Sequence, residues 1–263
     1  MKFFHCVAPS PGSRPSVKVK VPAGWKSRIN QLIAFHFLVF LIYLVSGRTG
    51  LLESPLAGGT VSEFIRHSLD LSSRSQDLRA HWWSSIFTYQ FVHFRAGELI
   101  LSMSMLWLFG HILAGTLGMR RVIRLYFISV TVSAIVFILS HLIFPVFSGP
   151  NGVMEGAFGG VLGLMTVTVF LYGRHRLHIG HKLQVPLRTV YLAALFLSLI
   201  LVYKHNIAYI LVYVSAIYAG FRYAEIIKSE PVPAAAGTEE EIPAAEAPGG
   251  EKIRGVLLSA PAA

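Results

Sequence analysis

Charged side chains are scarce in this chain of 263 residues, since only 14% are Asp, Glu, Lys or Arg while 54% are hydrophobic. Soluble domains carry about 25% charged residues, because their surfaces must face water. The shortage excludes an ordinary water-soluble domain. With a mean hydropathy of +0.58, the expected solvent is the lipid bilayer.

Cysteine is almost absent, because Cys6 is the only one. A single thiol excludes an internal disulfide framework and a site with several thiolate ligands. Acidic residues are also few, 13 against 23 Lys and Arg, which gives a net charge of +10. A nucleic-acid partner is not expected, because binding would need basic residues on one exposed face beside aromatic rings, whereas here they lie between apolar runs.

Long polar stretches are missing from six predominantly apolar runs, and several of these runs are close to the minimum length that crosses the hydrocarbon core of a bilayer. The predicted spans are roughly 29–46, 98–115, 122–144, 153–172, 186–203 and 206–227. We therefore predict an all-α membrane protein in which residues 29–227 form a bundle of six transmembrane helices.

Three segments fall outside the predicted spans. Residues 1–28 are basic, and residues 228–263 are rich in Pro, Ala and Glu and predicted to be disordered. The long first loop, 47–97, is amphipathic and rich in Trp and Phe, so it is expected to lie in the membrane interface.

The basic residues predict an orientation. If the chain crosses the membrane six times, 17 of the 23 Lys and Arg fall on one side of the membrane and six on the other. The positive-inside rule then makes both termini cytoplasmic. A signal peptide is not expected, because the first apolar run begins only near residue 29.

Two motifs carry a family resemblance. The first loop ends in W-x-x-x-F-T-Y-x-F-x-H, and the fourth span holds the run EGAFGGVLG. With six helices and a large first loop, this pattern resembles the rhomboid family of intramembrane serine proteases over roughly residues 82–220. The family's first-loop motif corresponds here to Trp83, Phe87, Thr88, Tyr89 and His93.

The resemblance also implies where the family's functional positions lie. Glu155 stands in place of the nucleophilic serine and Tyr213 in place of the histidine base, while Glu98 and Ser102 take the positions of the oxyanion-binding pair. Serine attack needs a base with a pKa near the working pH and hydrogen-bond donors for the oxyanion. We therefore expect no active catalytic residue by the family mechanism.

Two interpretations of Glu155 remain open at this level. A carboxylate in mid-span is costly unless it meets a partner or water. In one interpretation Glu155 hydrogen-bonds Tyr213 across the fourth and sixth helices and locks the former active site; in the other it lies near a helix end in a wet funnel and contacts solvent alone. Glu98 either shares a proton with Glu155 and activates water, or marks the aqueous end of the second helix.

Small residues predict how the bundle packs. Two overlapping G-x-x-x-G stripes on the fourth helix face a smooth stripe on the sixth, so close contact of these helices is expected, with a homodimer seam as the alternative. The helix-packing residues are Gly156, Gly159, Gly160, Gly163, Ala216 and Gly220.

The histidines do not predict a metal site. His36, His111 and His141 lie on separate spans without a second ligand one turn away. The basic loop 174–181, with three more histidines, is expected to contact anionic lipid headgroups. We expect no metal and no cofactor.

By resemblance to inactive members of the family, the expected function is that of a pseudoprotease that binds transmembrane helices of client membrane proteins. The alternatives are an active intramembrane serine endopeptidase and, from the buried carboxylates, a small proton-linked transporter. The expected partners are the lipid bilayer and these clients, in the plasma (inner, if bacterial) membrane. The oligomeric state stays open.

Overall fold

The computed structural model describes residues 27–49, 53–54, 59–60, 69, 71–72, 84–144, 153–173, 175–179, 183–202 and 208–229. Helices dominate this part of the chain. In chain order they are α1 (Arg28–Thr49), α2 (Ala96–Leu117), α3 (Met119–Ile143), α4 (Phe158–Tyr172), α5 (Leu187–Val202) and α6 (Ala208–Ser229). The predicted N-terminal segment, all but its last two residues, and the predicted C-terminal tail from residue 230 onward lie outside the described residues.

The segments that connect the helices contain short antiparallel strand pairs. They pair β1 (Glu53–Ser54) with β2 (Gly59–Thr60), β3 (Leu71–Ser72) with β4 (Val153–Met154), and β5 (Arg176–Ile179) with β6 (Leu183–Pro186). The β3–β4 pair ties the first loop to the segment just before α4, and the β5–β6 hairpin connects α4 to α5.

Four of the helices are long and apolar enough to cross a membrane: α1 over Arg28–Gly47, α2, α3 and α6. The chain is thus a mostly helical membrane protein. Helices α4 and α5 have 15 and 16 residues, or about 22–24 Å at 1.5 Å per residue, against a hydrocarbon core of about 30 Å. Since every residue from Phe158 to Thr168 is buried, α4 is surrounded by protein and need not match the lipid thickness.

The α4 helix lies at the centre of the bundle because its small residues admit close neighbours. A Cβ at Gly159 would lie 2.6 Å from the Ser133 Oγ of α3, and one at Gly163 would collide with the Ser129 Oγ. On the other side, a Cβ at Gly220 of α6 would lie 2.6 Å from the Gly163 carbonyl oxygen. Backbone thus packs on backbone between α4 and α6, as small-residue stripes allow in membranes.

The remaining small residues divide between this interface and its surroundings. Ala216 contributes its carbonyl oxygen 3.7 Å from the Cβ position of Gly163, and Gly160 faces Val130 and Tyr126 of α3. Gly156 precedes α4 and belongs to the site described below. The glycines of α4 therefore serve two neighbouring helices, α3 as well as α6.

The described helices begin and end within a few residues of the predicted spans, except at the start of the fourth. That span was predicted from residue 153, but α4 begins at Phe158. Residues 153 and 154 pair with β3 instead, and Gly156 has a φ of +88°, which a right-handed helix does not contain. Glu155 therefore lies ahead of the helix, and the prediction that the fourth span begins at residue 153 and includes Glu155 is wrong.

Candidate functional site

A buried polar cluster lies at the end of the bundle where α2, α4 and α6 begin. Glu98 comes from the first turn of α2, Glu155 from the segment before α4, and Tyr213 from α6. Their exposed fractions are 2%, 4% and 5%. Carboxylates are rarely so deeply buried without a specific structural or functional reason, so this cluster is the candidate site.

The Glu98 side chain packs against Gly156. A Cβ built on Gly156 would collide with the Glu98 Oε1 and would lie 3.2 Å from its Cδ. The positive φ of Gly156 also favours a residue without a side chain. The backbone conformation therefore favours glycine here, and any larger residue would also displace the Glu98 carboxylate.

The first loop holds the backbone that follows Glu155. The Gly156 N–H donates to the Tyr89 carbonyl oxygen at 3.2 Å, and the Ala157 N–H donates to His93 Nε2 at 3.3 Å. His93 Nδ1 lies 3.4 Å from the Phe91 carbonyl oxygen. Because Nε2 accepts, Nδ1 carries the proton, and the ring is held in its neutral form.

The surroundings of His93 oppose its protonation. Burial and the nearby His36 lower the pKa of His93 to about 3, since a buried imidazolium would lose its hydration. The two rings meet at a centroid distance of 5.6 Å, and the His36 Nε2 lies 3.4 Å from the Tyr126 hydroxyl. His93 is thus a neutral acceptor that fixes the start of α4.

The hydrogen bond predicted between Glu155 and Tyr213 is not formed. The Tyr213 hydroxyl has no hydrogen-bond partner among the described residues. Its ring packs on Phe158 at 5.4 Å, and its hydroxyl interacts with Ser198 and Glu98 without regular hydrogen-bond geometry. The interpretation in which Glu155 contacts solvent alone is also wrong, because Glu155 is 4% exposed and has an interaction within the protein.

Tyr209, which sequence reasoning missed, is the tyrosine next to Glu155. Its hydroxyl donates to the Val153 carbonyl oxygen. Among the charged side chains around it, Glu155 has the largest electrostatic effect on Tyr209, and Glu98 the next largest. Tyr209 precedes Tyr213 by four residues and so lies on the same face of α6, one turn nearer its start. Because Glu155 precedes α4, it meets the earlier tyrosine. The spacing Y-x-x-x-Y was the available signal.

Ser102 follows Glu98 by one turn of α2 and is fully buried. Its hydroxyl has no hydrogen-bond partner among the described residues. The two predicted oxyanion positions therefore place one carboxylate and one hydroxyl on the inner side of α2. Glu98 also lies in the first helical turn, where the helix dipole favours a negative charge.

The first-loop motif packs against the same region. Tyr89 is fully buried and its hydroxyl donates to the Val130 carbonyl oxygen of α3 at 2.8 Å. The Thr88 hydroxyl lies 3.0 Å from the carbonyl oxygens of Leu69 and Ser84, while Phe87 is exposed. Trp83 lies outside the described residues.

One serine does lie beside a histidine, near the end of α3. The Ser140 Oγ and the His141 Nδ1 are 3.4 Å apart, but both atoms also contact the Phe137 carbonyl oxygen, at 2.8 and 2.9 Å. A carbonyl oxygen only accepts, so Ser140 and His141 Nδ1 both direct their protons at it. A protonated Nδ1 does not act as a base toward the serine, so this pair is not a catalytic dyad.

The fold and the site agree with a comparison to protein families. The family model described as the Rhomboid domain matches residues 79–227, more than half of the chain. This protein belongs to the rhomboid family. A search among curated proteins found no match.

The match covers every element that builds the polar cluster, from the end of the first loop to α6. In this rhomboid, no group of three or more His, Cys, Asp or Glu within the described residues has the arrangement of a metal site. The cluster itself consists of two carboxylates, two tyrosines and the Ser102 hydroxyl.

Proposed function

We propose that this rhomboid-family protein is a pseudoprotease that binds transmembrane helices of client membrane proteins. The observation that carries the proposal is the environment of Glu155, the residue that the resemblance puts in the nucleophile's place. It precedes a glycine covered by a second carboxylate, and its neighbour in α6 is a tyrosine rather than a histidine. The fold of the family is retained, while the side chains in the positions of the nucleophile and the base differ.

The nucleophile and the base are both lacking in this arrangement. A carboxylate offers no hydroxyl oxygen for acyl transfer, and neither Tyr209 nor Tyr213 is a good base near neutral pH, since the reference pKa of tyrosine is about 10. Tyr209 already donates its proton to the Val153 carbonyl oxygen. The side chains in the dyad positions therefore support loss of serine-protease activity.

Oxyanion stabilisation is also lacking. A developing oxyanion needs donors aimed at it, but the Glu98 position brings a carboxylate. The backbone N–H groups of Gly156 and Ala157 donate to Tyr89 and His93. Removal of one oxyanion donor typically costs about 10²–10³-fold in rate, so replacing donors by an acid supports an inactive site.

The proposed membrane topology has six spans and both termini in the cytoplasm. The two short helices α4 and α5 count as spans in this proposal, because buried α4 connects through the β5–β6 hairpin to α5. The polar cluster then lies toward the non-cytoplasmic side, and the proposed location is a plasma (inner, if bacterial) membrane. Short spans would thin the surrounding bilayer and favour entry of client helices.

The absence of proteolysis is testable with the purified full-length protein in liposomes. We expect no cleavage of model transmembrane substrates by the wild type and no labelling by serine-directed fluorophosphonates. The Glu155→Ser variant supplies a hydroxyl at the same place and should also stay inactive, because it still lacks a base. Cleavage by the wild type that is abolished by Glu155→Gln would contradict the proposal.

Client binding is testable by photo-crosslinking in the native membrane. A benzoyl-phenylalanine at Val214, an exposed position on α6, should capture defined membrane proteins through their transmembrane segments. The matched control is the same residue at Leu142, which is 73% exposed near the end of α3. Identical crosslinked proteins at both positions, or at a position in a scrambled α6, would remove support for a specific client site.

Two alternative functions are each favoured by one observation. Family membership favours an active endopeptidase, and the cleavage assay above separates it from a pseudoprotease. The buried carboxylates favour a proton-linked transporter, because such groups mark proton pathways in membranes. Proton flux into liposomes that depends on Glu98 and Glu155 would establish that function instead.

A further inference from the structure

Two carboxylates are buried together at the end of the bundle where α2, α4 and α6 begin. The Glu98 carboxylate packs against Gly156, with its Cδ 3.2 Å from the Cβ position of that residue, and Glu155 is the preceding residue. Tyr209 interacts electrostatically with both carboxylates. Two negative charges in a buried site repel each other strongly unless a positive charge joins them. The pair therefore favours either a proton or a cation in its midst.

Two hydroxyls beside Glu98 distinguish a cation from a proton. Ser102, one turn after Glu98 on α2, is fully buried, and its hydroxyl has no hydrogen-bond partner among the described residues. The buried Tyr213 hydroxyl has none there either, and it interacts electrostatically with Glu98. A buried hydroxyl left without a partner is costly. A proton shared by the carboxylates would leave both hydroxyls as they are, whereas a cation would also bind their oxygens.

Two neighbouring polar side chains are already engaged elsewhere. The Tyr209 hydroxyl donates its proton to the Val153 carbonyl oxygen. Arg95, the basic residue that acts on Tyr209, is exposed and donates from Nη1 to the Leu201 carbonyl oxygen at 2.6 Å. Neither side chain therefore takes the place of a cation between the carboxylates.

The ligand atoms select the kind of cation. Zinc sites need several His or Cys ligands, and no group of three His, Cys, Asp or Glu forms such a site in the part of the chain that the structure describes. Carboxylate and hydroxyl oxygens suit a hard cation instead, and two carboxylates balance a divalent charge. Calcium takes about six to eight oxygen ligands in flexible geometry, whereas magnesium demands a near-ideal octahedron and gives up its water reluctantly. A buried site built from three separate elements therefore fits calcium better than magnesium.

We propose that the carboxylates of Glu98 and Glu155 and the hydroxyl oxygens of Ser102 and Tyr213 form a calcium site. If each carboxylate binds through both oxygens, these side chains supply about six ligands, the lower end of the usual range for calcium. The ion would tie together α2, the segment before α4, and α6. This site goes beyond the proposed client binding and does not depend on it.

The depth of the site fits entry of an ion from the end of the bundle. Glu98 lies in the first turn of α2. Tyr213 lies five residues after Ala208, where α6 begins, or about 7.5 Å along the helix at 1.5 Å per residue. In the proposed topology this end is the non-cytoplasmic one. Calcium sites of extracellular modules have a Kd of about 10⁻⁴–10⁻³ M, and we expect the same range here.

The test uses the full-length protein in non-ionic detergent micelles, after treatment with EDTA and its removal. Thermal unfolding is compared without divalent ions, with about 10 mM CaCl₂, with the same concentration of MgCl₂, and with NaCl at equal ionic strength. A ligand at tenfold its Kd or more stabilises the folded state, so we expect CaCl₂ to raise the unfolding midpoint by at least about 3 °C. The other two salts should each raise it by less than about 1 °C. Calorimetric titration with CaCl₂ then gives the Kd.

Matched variants identify the ligands. Glu98→Gln and Glu155→Gln should each raise the Kd for calcium at least about tenfold, because ligand charge sets the affinity, while Glu225→Gln, an exposed acid on α6, should leave it unchanged. Ser102→Ala should raise the Kd about two- to fivefold, since one neutral ligand is lost. Its control is Ser129→Ala, which removes another buried hydroxyl without a hydrogen-bond partner among the described residues. Without calcium, both Gln variants should be at least as stable as the wild type, which a merely structural role of the carboxylates does not predict.

Several outcomes would overturn the site. An unfolding midpoint that does not respond to CaCl₂, or that responds equally to all three salts, would show that no calcium site exists. A calcium effect that persists in both Gln variants would place the ion elsewhere. If both Gln variants fail to fold, equal calcium affinities of Ser102→Ala and Ser129→Ala would contradict the proposal. None of these results bears on client binding, so the two proposals fail or stand separately.

Discussion

The Glu98 carboxylate occupies the space that a methyl group on Gly156 would take. Replacing Gly156 by Ala should therefore destabilise the protein by about 2–4 kcal/mol, because a left-handed backbone costs a residue with a Cβ roughly 1–2 kcal/mol and the clash adds to it. The change is measurable as the free energy of unfolding in mixed micelles.

The double variant Glu98→Ala, Gly156→Ala separates the two costs. Removing the carboxylate opens the space but leaves the φ of +88° unchanged. We expect the double variant to recover part of the stability lost by Gly156→Ala, as a non-zero coupling energy in a double-mutant cycle. Strict additivity of the two substitutions would contradict the contact.

The packing of α4 on α3 gives a second prediction. Gly163→Ala should destabilise the protein by about 1–3 kcal/mol, since its methyl group would collide with the Ser129 hydroxyl. Gly115→Ala in α2 is the matched control, because nothing lies within 4 Å of its Cβ position, and helix propensity favours Ala there. Equal effects of both substitutions in thermal unfolding would count against close packing at Gly163.

Much of the helical framework was predictable from the sequence because each helix is built on a predominantly apolar run. The start of α4 was not, since Val153 and Met154 are as apolar as the helix that follows. Their pairing with Leu71 and Ser72 joins residues far apart in the chain, and hydropathy carries no information on such pairing. The left-handed backbone of Gly156 depends on the same distant contacts.

The residues of the site were predictable as a set, but their pairing was not. Family resemblance implies which positions surround the former dyad, and Glu98, Glu155 and Tyr213 do lie in one cluster, since all three interact with Tyr209. Matching residue by residue put Tyr213 opposite Glu155, whereas the offset of Glu155 from α4 makes Tyr209 its neighbour. Because of this shift by one helical turn, the Tyr209 hydroxyl forms a hydrogen bond and the Tyr213 hydroxyl does not.

The neutral His93 predicts acid sensitivity. Its pKa is about 3 in the folded protein and near 6.5 when unfolded, so the unfolded state binds the proton first as the pH falls. The stabilisation is complete above about pH 6.5 and is lost between that pH and about pH 3. The loss reaches at most about 1.4 kcal/mol per pH unit.

Comparison with His93→Gln isolates this contribution, because the two proteins share all other ionisable groups. A glutamine keeps an acceptor for the Ala157 N–H but binds no proton. The unfolding free energy of the wild type minus that of the variant should fall steadily from pH 7 to pH 4. A difference independent of pH would show that His93 is not a buried neutral histidine.

Orientation in the membrane is testable through the single cysteine. If both termini are cytoplasmic, a membrane-impermeant maleimide should label Cys6 in inverted vesicles, or after permeabilisation, but not in intact cells. A cysteine placed at Phe144, the residue after α3, in a Cys6→Ser background should show the opposite pattern. Labelling of both positions from the same side would refute the six-span topology.

The two tyrosines of α6 provide a matched pair for the site itself. Tyr209→Phe removes a hydroxyl that donates to the Val153 carbonyl oxygen, and loss of a hydrogen bond that leaves a buried acceptor unsatisfied costs about 1–3 kcal/mol. Tyr213→Phe removes a hydroxyl without a hydrogen-bond partner, so its unfolding free energy should stay unchanged or rise by up to about 1 kcal/mol. If Tyr213 instead donated to Glu155, its substitution would be the more damaging of the two. Chemical unfolding of both variants in the same micelles therefore distinguishes the arrangement described here from a Glu155–Tyr213 lock.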